Sequence, residues 1–128
     1  MKINTPISAG ELIDKISILK IKSLKIKDED KLKNIKTELK ELQLICSEKF
    51  KKEVDLESKI EELFQVNLSL WNIEDQIRQA EAAKSFDTDF VFLARSVYKT
   101  NDKRFDIKNK INKEFGSYIV EEKSYEKY

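Results

Sequence analysis

The chain has 128 residues, with 25 lysine and arginine side chains against 24 aspartates and glutamates and a net charge of +1. That length makes one domain with room for a sizeable core, and the closely interspersed charges lack the basic excess that nucleic-acid binding needs. With no histidine and one cysteine, Cys46, the sequence excludes an internal disulfide, a Cys/His zinc site and any histidine base.

Two glycines and one proline punctuate the chain, which points to long uninterrupted elements. Charged residues reach 38% and apolar ones 40%, the latter periodic, which describes solvated helix faces rather than disorder. No apolar run approaches the ~20 residues of a membrane span, and the N-terminus has no signal-peptide pattern. A cytoplasmic protein without membrane contact, nucleic acid or cofactor is expected.

The first helix, at about residues 8–27, opens on a capping box of Ser8 and Glu11 with Ile7 and Leu12 placed as a hydrophobic staple. Leu12, Ile16, Leu19 and Ile26 recur on one side, flanked by Ile13 and Leu24. Asp28-Glu29-Asp30 marks a turn and a new cap. A second helix, about 30–52, then carries Leu32, Ile35, Leu39, Leu42 and Cys46 as a short heptad seam, suited to a hairpin with the first.

Asp55 caps a third helix of about 55–83, whose stretch from Leu63 to Ile77 is apolar around most of its circumference. A helix apolar all round is a central one, so helix three is expected to be the spine. Asp87 caps a fourth helix, about 87–115, with an inner stripe of Phe90, Ala94, Val97, Ile111 and Phe115, ended by Gly116. The tail, 117–128, reads as extended, pairing with Lys2-Ile3-Asn4 or packing across a neighbouring subunit.

Where lysine is the default cation, Arg78, Arg95 and Arg104 stand out as the only arginines. A retained arginine suits two-point grip of a carboxylate or phosphate. At 100° per residue Asn67 and Glu74 share a side of helix three with Leu63, Leu70 and Ile77, and Arg78 lies at its edge. On helix four Asn101, Arg104 and Lys108 interrupt the apolar stripe. The candidate ligand-binding set is therefore Asn67, Trp71, Glu74, Arg78, Asn101, Arg104 and Lys108, which suits a small anion in a partly apolar cleft. The competing account is architectural: Glu74 pairs with Arg104 or Arg78 and fixes helix register.

A second constellation is Glu11 and Asp14 with Glu38 and Glu41, carboxylates one turn apart. They resemble, in reversed order, the paired acidic motifs with which all-helical nucleotide pyrophosphohydrolases hold magnesium. Ordinary capping and surface charge also account for them.

Four stretches resemble a family of small bacterial proteins of unknown function: GELIDKISIL from Gly10 to Leu19, LWNIEDQIR from Leu70 to Arg78, LARSVYKTNDKR from Leu93 to Arg104, and GSYIVEEKSY from Gly116 to Tyr125. The resemblance covers nearly the whole chain and implies one unit with no assigned activity. The IDKI run at Ile13–Ile16 also faintly resembles the opening of helical chorismate mutases, which hold a dicarboxylate with arginines and a lysine. Their first helix supplies an arginine that this one lacks.

The expected fold is all-α, a four-helix bundle of long antiparallel helices with an extended C-terminal tail, as a single domain over residues 1–128 and as a homodimer. The expected function is a binding or adaptor module whose Arg/Glu/Asn centre holds an anionic small molecule. The alternatives are a small helical enzyme on an anionic metabolite, chorismate-mutase-like or magnesium-dependent, and an interaction bundle that uses the tail.

Overall fold

The computed structural model describes residues 1–50 and 55–128. It contains four helices, α1 (Ala9–Lys25), α2 (Glu29–Lys49), α3 (Leu56–Ala82) and α4 (Thr88–Glu114), and among the described residues no strand. The second helix ends by Lys49, and residues 51 and 52 of its expected span lie outside the described residues.

All four helices start on an oxygen side chain that accepts from the amide three residues on: Ser8 from Glu11, Asp28 from Lys31, Asp55 from Ser58 and Asp87 from Phe90. Each cap satisfies an amide that has no intrahelical partner, worth about 1 kcal/mol. At the far end Gly116 takes a φ of 61°, the left-handed geometry that closes α4.

The core gathers where all four helices meet. Leu12, Ile13 and Ile16 of α1 pack with Cys46 of α2, Ile60 and Leu63 of α3, and Ile107 and Ile111 of α4. Burying each of the larger aliphatic side chains contributes about 1.5–3 kcal/mol. Cys46 sits in this apolar setting, and burial pushes its thiol pKa up to about 11, so it is protonated and inert at neutral pH.

The spine is α1, not α3. The backbone of α1 approaches each of the other three helices closely, whereas that of α2 comes close only to α1 and reaches the shared core through side chains. Eight of its residues are buried, against three on the longer α3. The reason is length. α1 has 17 residues and α3 has 27, or about 25 Å against about 40 Å at 1.5 Å per residue. The buried residues of α3, Ile60, Leu63 and Asn67, all lie in its first half, where Asn67 bonds to Asp14 and Ser17 of α1, and none lies in its second half.

α3 and α4 are antiparallel, joined through Ser85–Asp87, with Lys59 and Glu114 paired 3.2 Å apart at the opposite end. Together they form an arm that outruns α1. The tail does not pair with the N-terminus. Lys2 contacts Glu41 of α2, and residues 121–128 run back along α4.

Candidate functional site

The polar centre is built on α1. Asp14 and Ser17 have no exposed surface, and Asn67 of α3 is 5% exposed. Gly10, Asp14, Ser17 and Ile21 recur three and four apart, which puts them on one face of α1. That face meets Asn67 and the C-terminal half of α4.

Arg104 of α4 grips the Asp14 carboxylate at two points, Nε to Oδ1 at 2.9 Å and Nη2 to Oδ2 at 2.5 Å. Asn67 donates from Nδ2 to Asp14 Oδ1 and to Ser17 Oγ, both at 2.8 Å. The Ser17 hydroxyl in turn donates a hydrogen bond to the backbone oxygen of Asp14 at 2.7 Å. A buried charge is tolerated when it is paired and its remaining lone pairs are filled, and both conditions hold for Asp14. The Asp14 hydrogen bonds raise the pKa of Arg104 against the opposing effect of burial, so the guanidinium stays charged.

One turn on, Lys108 is 6% exposed and joins two carboxylates, Glu11 Oε2 at 2.7 Å and Glu121 Oε2 at 2.9 Å. Burial alone would lower its pKa, but the hydrogen bonds it donates to Glu11 and Glu121 outweigh that and leave it raised. The two cations thus face three carboxylates, drawn from α1 and the tail.

The helix contact is close enough to require glycine. A Cβ on Gly10 would lie 2.6 Å from the backbone oxygen of Lys108. Gly10 donates its amide to Asn112 Oδ1 at 2.6 Å, and Ala9 donates to Ser117 Oγ at 3.0 Å. With Ser8, three side chains therefore satisfy the first free amides of α1, two of them from the far end of the chain.

Of the residues singled out in the sequence, Asn67, Arg104 and Lys108 come together here, and Asn101 is half-buried nearby on α4 beside the tail. Trp71 and Glu74 are half-buried further along α3. Glu74 lies 3.8 Å from Arg78 in an exposed pair within one helix, and Arg104 has Asp14 rather than Glu74 as its partner. Arg95 is exposed. Glu11 and Asp14 turn to Lys108 and Arg104, Glu41 contacts Lys2, and among the described residues no three acidic or cysteine side chains cluster as a metal site would require. Asp14, Ser17, Asn112, Gly10 and Glu121 complete the centre and were outside the candidate set. The signal for the first two was present, since both fall at helical spacing between Gly10, Ile13 and Ile21.

The structure thus belongs to an all-helical bundle with a partly buried ion-pair network between α1, α4 and the tail, and among the described residues no helix is long and apolar enough to cross a membrane. The chain is a member of a family of unknown function, DUF6165, whose profile it matches over residues 1–128. No curated protein and no solved structure matches it.

Proposed function

We propose that this chain is a helical interaction module that docks through its α3–α4 arm onto a second copy of itself, with the Asp14–Arg104 network serving as architecture. The observation that carries this reading is one of burial. From Leu68 to Asp106 no residue is buried, although the segment includes Leu70, Trp71, Ile73, Ile77, Phe90 and Leu93. On α4 and the preceding turn, Phe86, Val91 and Phe92 are 56%, 53% and 67% exposed. Toward the turn that joins α3 and α4 these apolar side chains are half-buried at best, and Phe86, Val91 and Phe92 are mostly in water; contiguous apolar surface of this kind marks an interaction face.

A second copy fits the charge of the arm. Both signs are interspersed along it, as in Glu74, Asp75, Arg78, Asp89, Arg95 and Lys99, so two arms carry no strong like-signed field against each other. Twofold pairing of identical faces is the commonest closed assembly. The network supports the architectural role because its two cations already have carboxylate partners at 2.5–2.9 Å. The expected setting is the cytoplasm, where a lone buried thiol such as Cys46 stays reduced.

Sedimentation equilibrium of the full chain tests the reading. The wild type sediments as a dimer at micromolar concentration, and Val91→Lys/Phe92→Glu sediments as a monomer with unchanged helical circular dichroism. A monomeric wild type, or a dimer indifferent to both substitutions, overturns it.

A further inference from the structure

The tail has no helix or strand of its own, yet from Glu121 onward it is matched group by group to α4. Glu121 meets Lys108 at 2.9 Å. Lys123 lies 3.4 Å from Asp102 and 5.3 Å from the centre of the Phe105 ring. The Tyr128 hydroxyl donates to Asp102 at 2.5 Å, and its ring packs edge-on against Tyr98 at 5.2 Å. The α4 partners Lys108, Phe105, Asp102 and Tyr98 are three and four residues apart, so they form one stripe: cation, aromatic, carboxylate, aromatic. Between stripe and tail lies a groove of about 1230 Å³.

How the tail is held matters as much as where it lies. Among the described residues, the polar bonds between 121–128 and α4 all run through side chains. The link back to the bundle turns at Gly116, and Tyr118 within it is 99% exposed. That is the arrangement of a tethered ligand in a groove rather than of a built-in element. The Lys123 and Tyr128 contacts with Asp102 are water-exposed and screened. After Glu121 leaves, Lys108 still has Glu11 as a partner, so the segment can leave without disturbing the core.

We propose that the α4 stripe from Tyr98 to Lys108 is a docking groove for an extended peptide of the pattern Glu-x-Lys-x-x-x-x-Tyr, and that the tail of a second copy exchanges into it in place of the chain's own. Exchange of an identical segment needs no new contacts, because every partner is already present in both copies. The tether favours the cis tail, since a short linker supplies an effective concentration of about millimolar. Free peptide therefore competes poorly until the cis tail is loosened. The groove lies on α4 from Tyr98 to Lys108, away in sequence from the exposed Phe86, Val91 and Phe92, and its occupation by a tail does not depend on those residues forming a docking face.

The test uses a fluorescently labelled peptide of residues 118–128 and the full chain, read by anisotropy. Glu121→Ala/Tyr128→Ala loosens the tail in cis while leaving the groove intact, and it binds the peptide about tenfold or more tighter than the wild type does. Adding Asp102→Asn to that chain abolishes the gain, and replacing the peptide's own last tyrosine by alanine does the same. Phe92→Glu in the same chain leaves the affinity unchanged, so failure of the arm reading and failure of this one are told apart. Equal binding by the wild type and the loosened chain, no binding by either, or binding indifferent to Asp102→Asn overturns the proposal.

Discussion

Replacing Arg104 with methionine keeps most of its aliphatic packing and removes the one cation that, among the described residues, bonds to Asp14. The carboxylate has no exposed surface, and without the guanidinium it retains only the Asn67 amide as a side-chain donor. Removing one partner of a buried pair costs about 3–5 kcal/mol, because the other charge is left uncompensated. The Arg104 side chain is 28% exposed, so some water reaches the site and the lower end applies, about 3 kcal/mol. For a chain of this size that corresponds to a drop of about 10 °C in Tm. Urea denaturation followed by circular dichroism measures it. Asp14→Leu/Arg104→Met, which removes both charges together, is expected to cost no more than about 1 kcal/mol relative to the wild type. A loss below about 1 kcal/mol for Arg104→Met alone, or a double variant as damaged as the sum of the singles, refutes the view that this pair locks the bundle.

Gly10→Ala separates helix propensity from packing. Propensity alone would stabilise α1 by about 1 kcal/mol, but the new methyl group would meet the Lys108 backbone at 2.6 Å. A net loss of about 2 kcal/mol in denaturant titration is expected, and a neutral or stabilised variant contradicts the close α1–α4 approach. The tail carries a pH signature. The Tyr128 hydroxyl bond, then Lys123, hold the Asp102 pKa below its ordinary value of 3.8, so that contribution to docking is present above the usual carboxyl range and lost as pH falls through the lowered value. The same Asp102 bond raises the pKa of Tyr128 above 10.0, so its part is complete below pH 10 and disappears as the phenol ionises. Protection of the tail from proteolysis should therefore be flat from about pH 5 to 9 and fall at both extremes; loss of protection near neutrality contradicts the Asp102–Tyr128 contact.

Helix positions were legible because their ends carry chemistry. Ser8, Asp28, Asp55 and Asp87 cap as an unpaired amide requires, and Gly116 closes α4 in the conformation that glycine alone adopts without strain. Of the seam on α2, Leu39, Leu42 and Cys46 pack into the core, Ile35 is buried and Leu32 half-buried, since its spacing admits only one inward face. What periodicity could not supply was relative length. It marks a helix as apolar all round without saying whether neighbours run alongside it, and so it favoured α3 over the shorter α1 as the spine. In the polar centre Arg104, Lys108 and Asn67 stood out because they interrupt apolar faces. Glu11 and Asp14 read as a carboxylate pair with Glu38 and Glu41 and not as partners of Lys108 and Arg104, because a carboxylate near a helix start is already explained by capping and the helix dipole. Pairing across 90 to 97 residues of sequence is a property of the packed helices, not of any local pattern.

The amides of Ala9 and Gly10 find their partners only at Ser117 and Asn112, 108 and 102 positions downstream. A chain emerging from the ribosome can wind α1, but it cannot finish the start of that helix until almost everything else has been made. The first turn of α1 is therefore completed only after residues 112 to 117 have been made, and a chain truncated before them lacks both bonds.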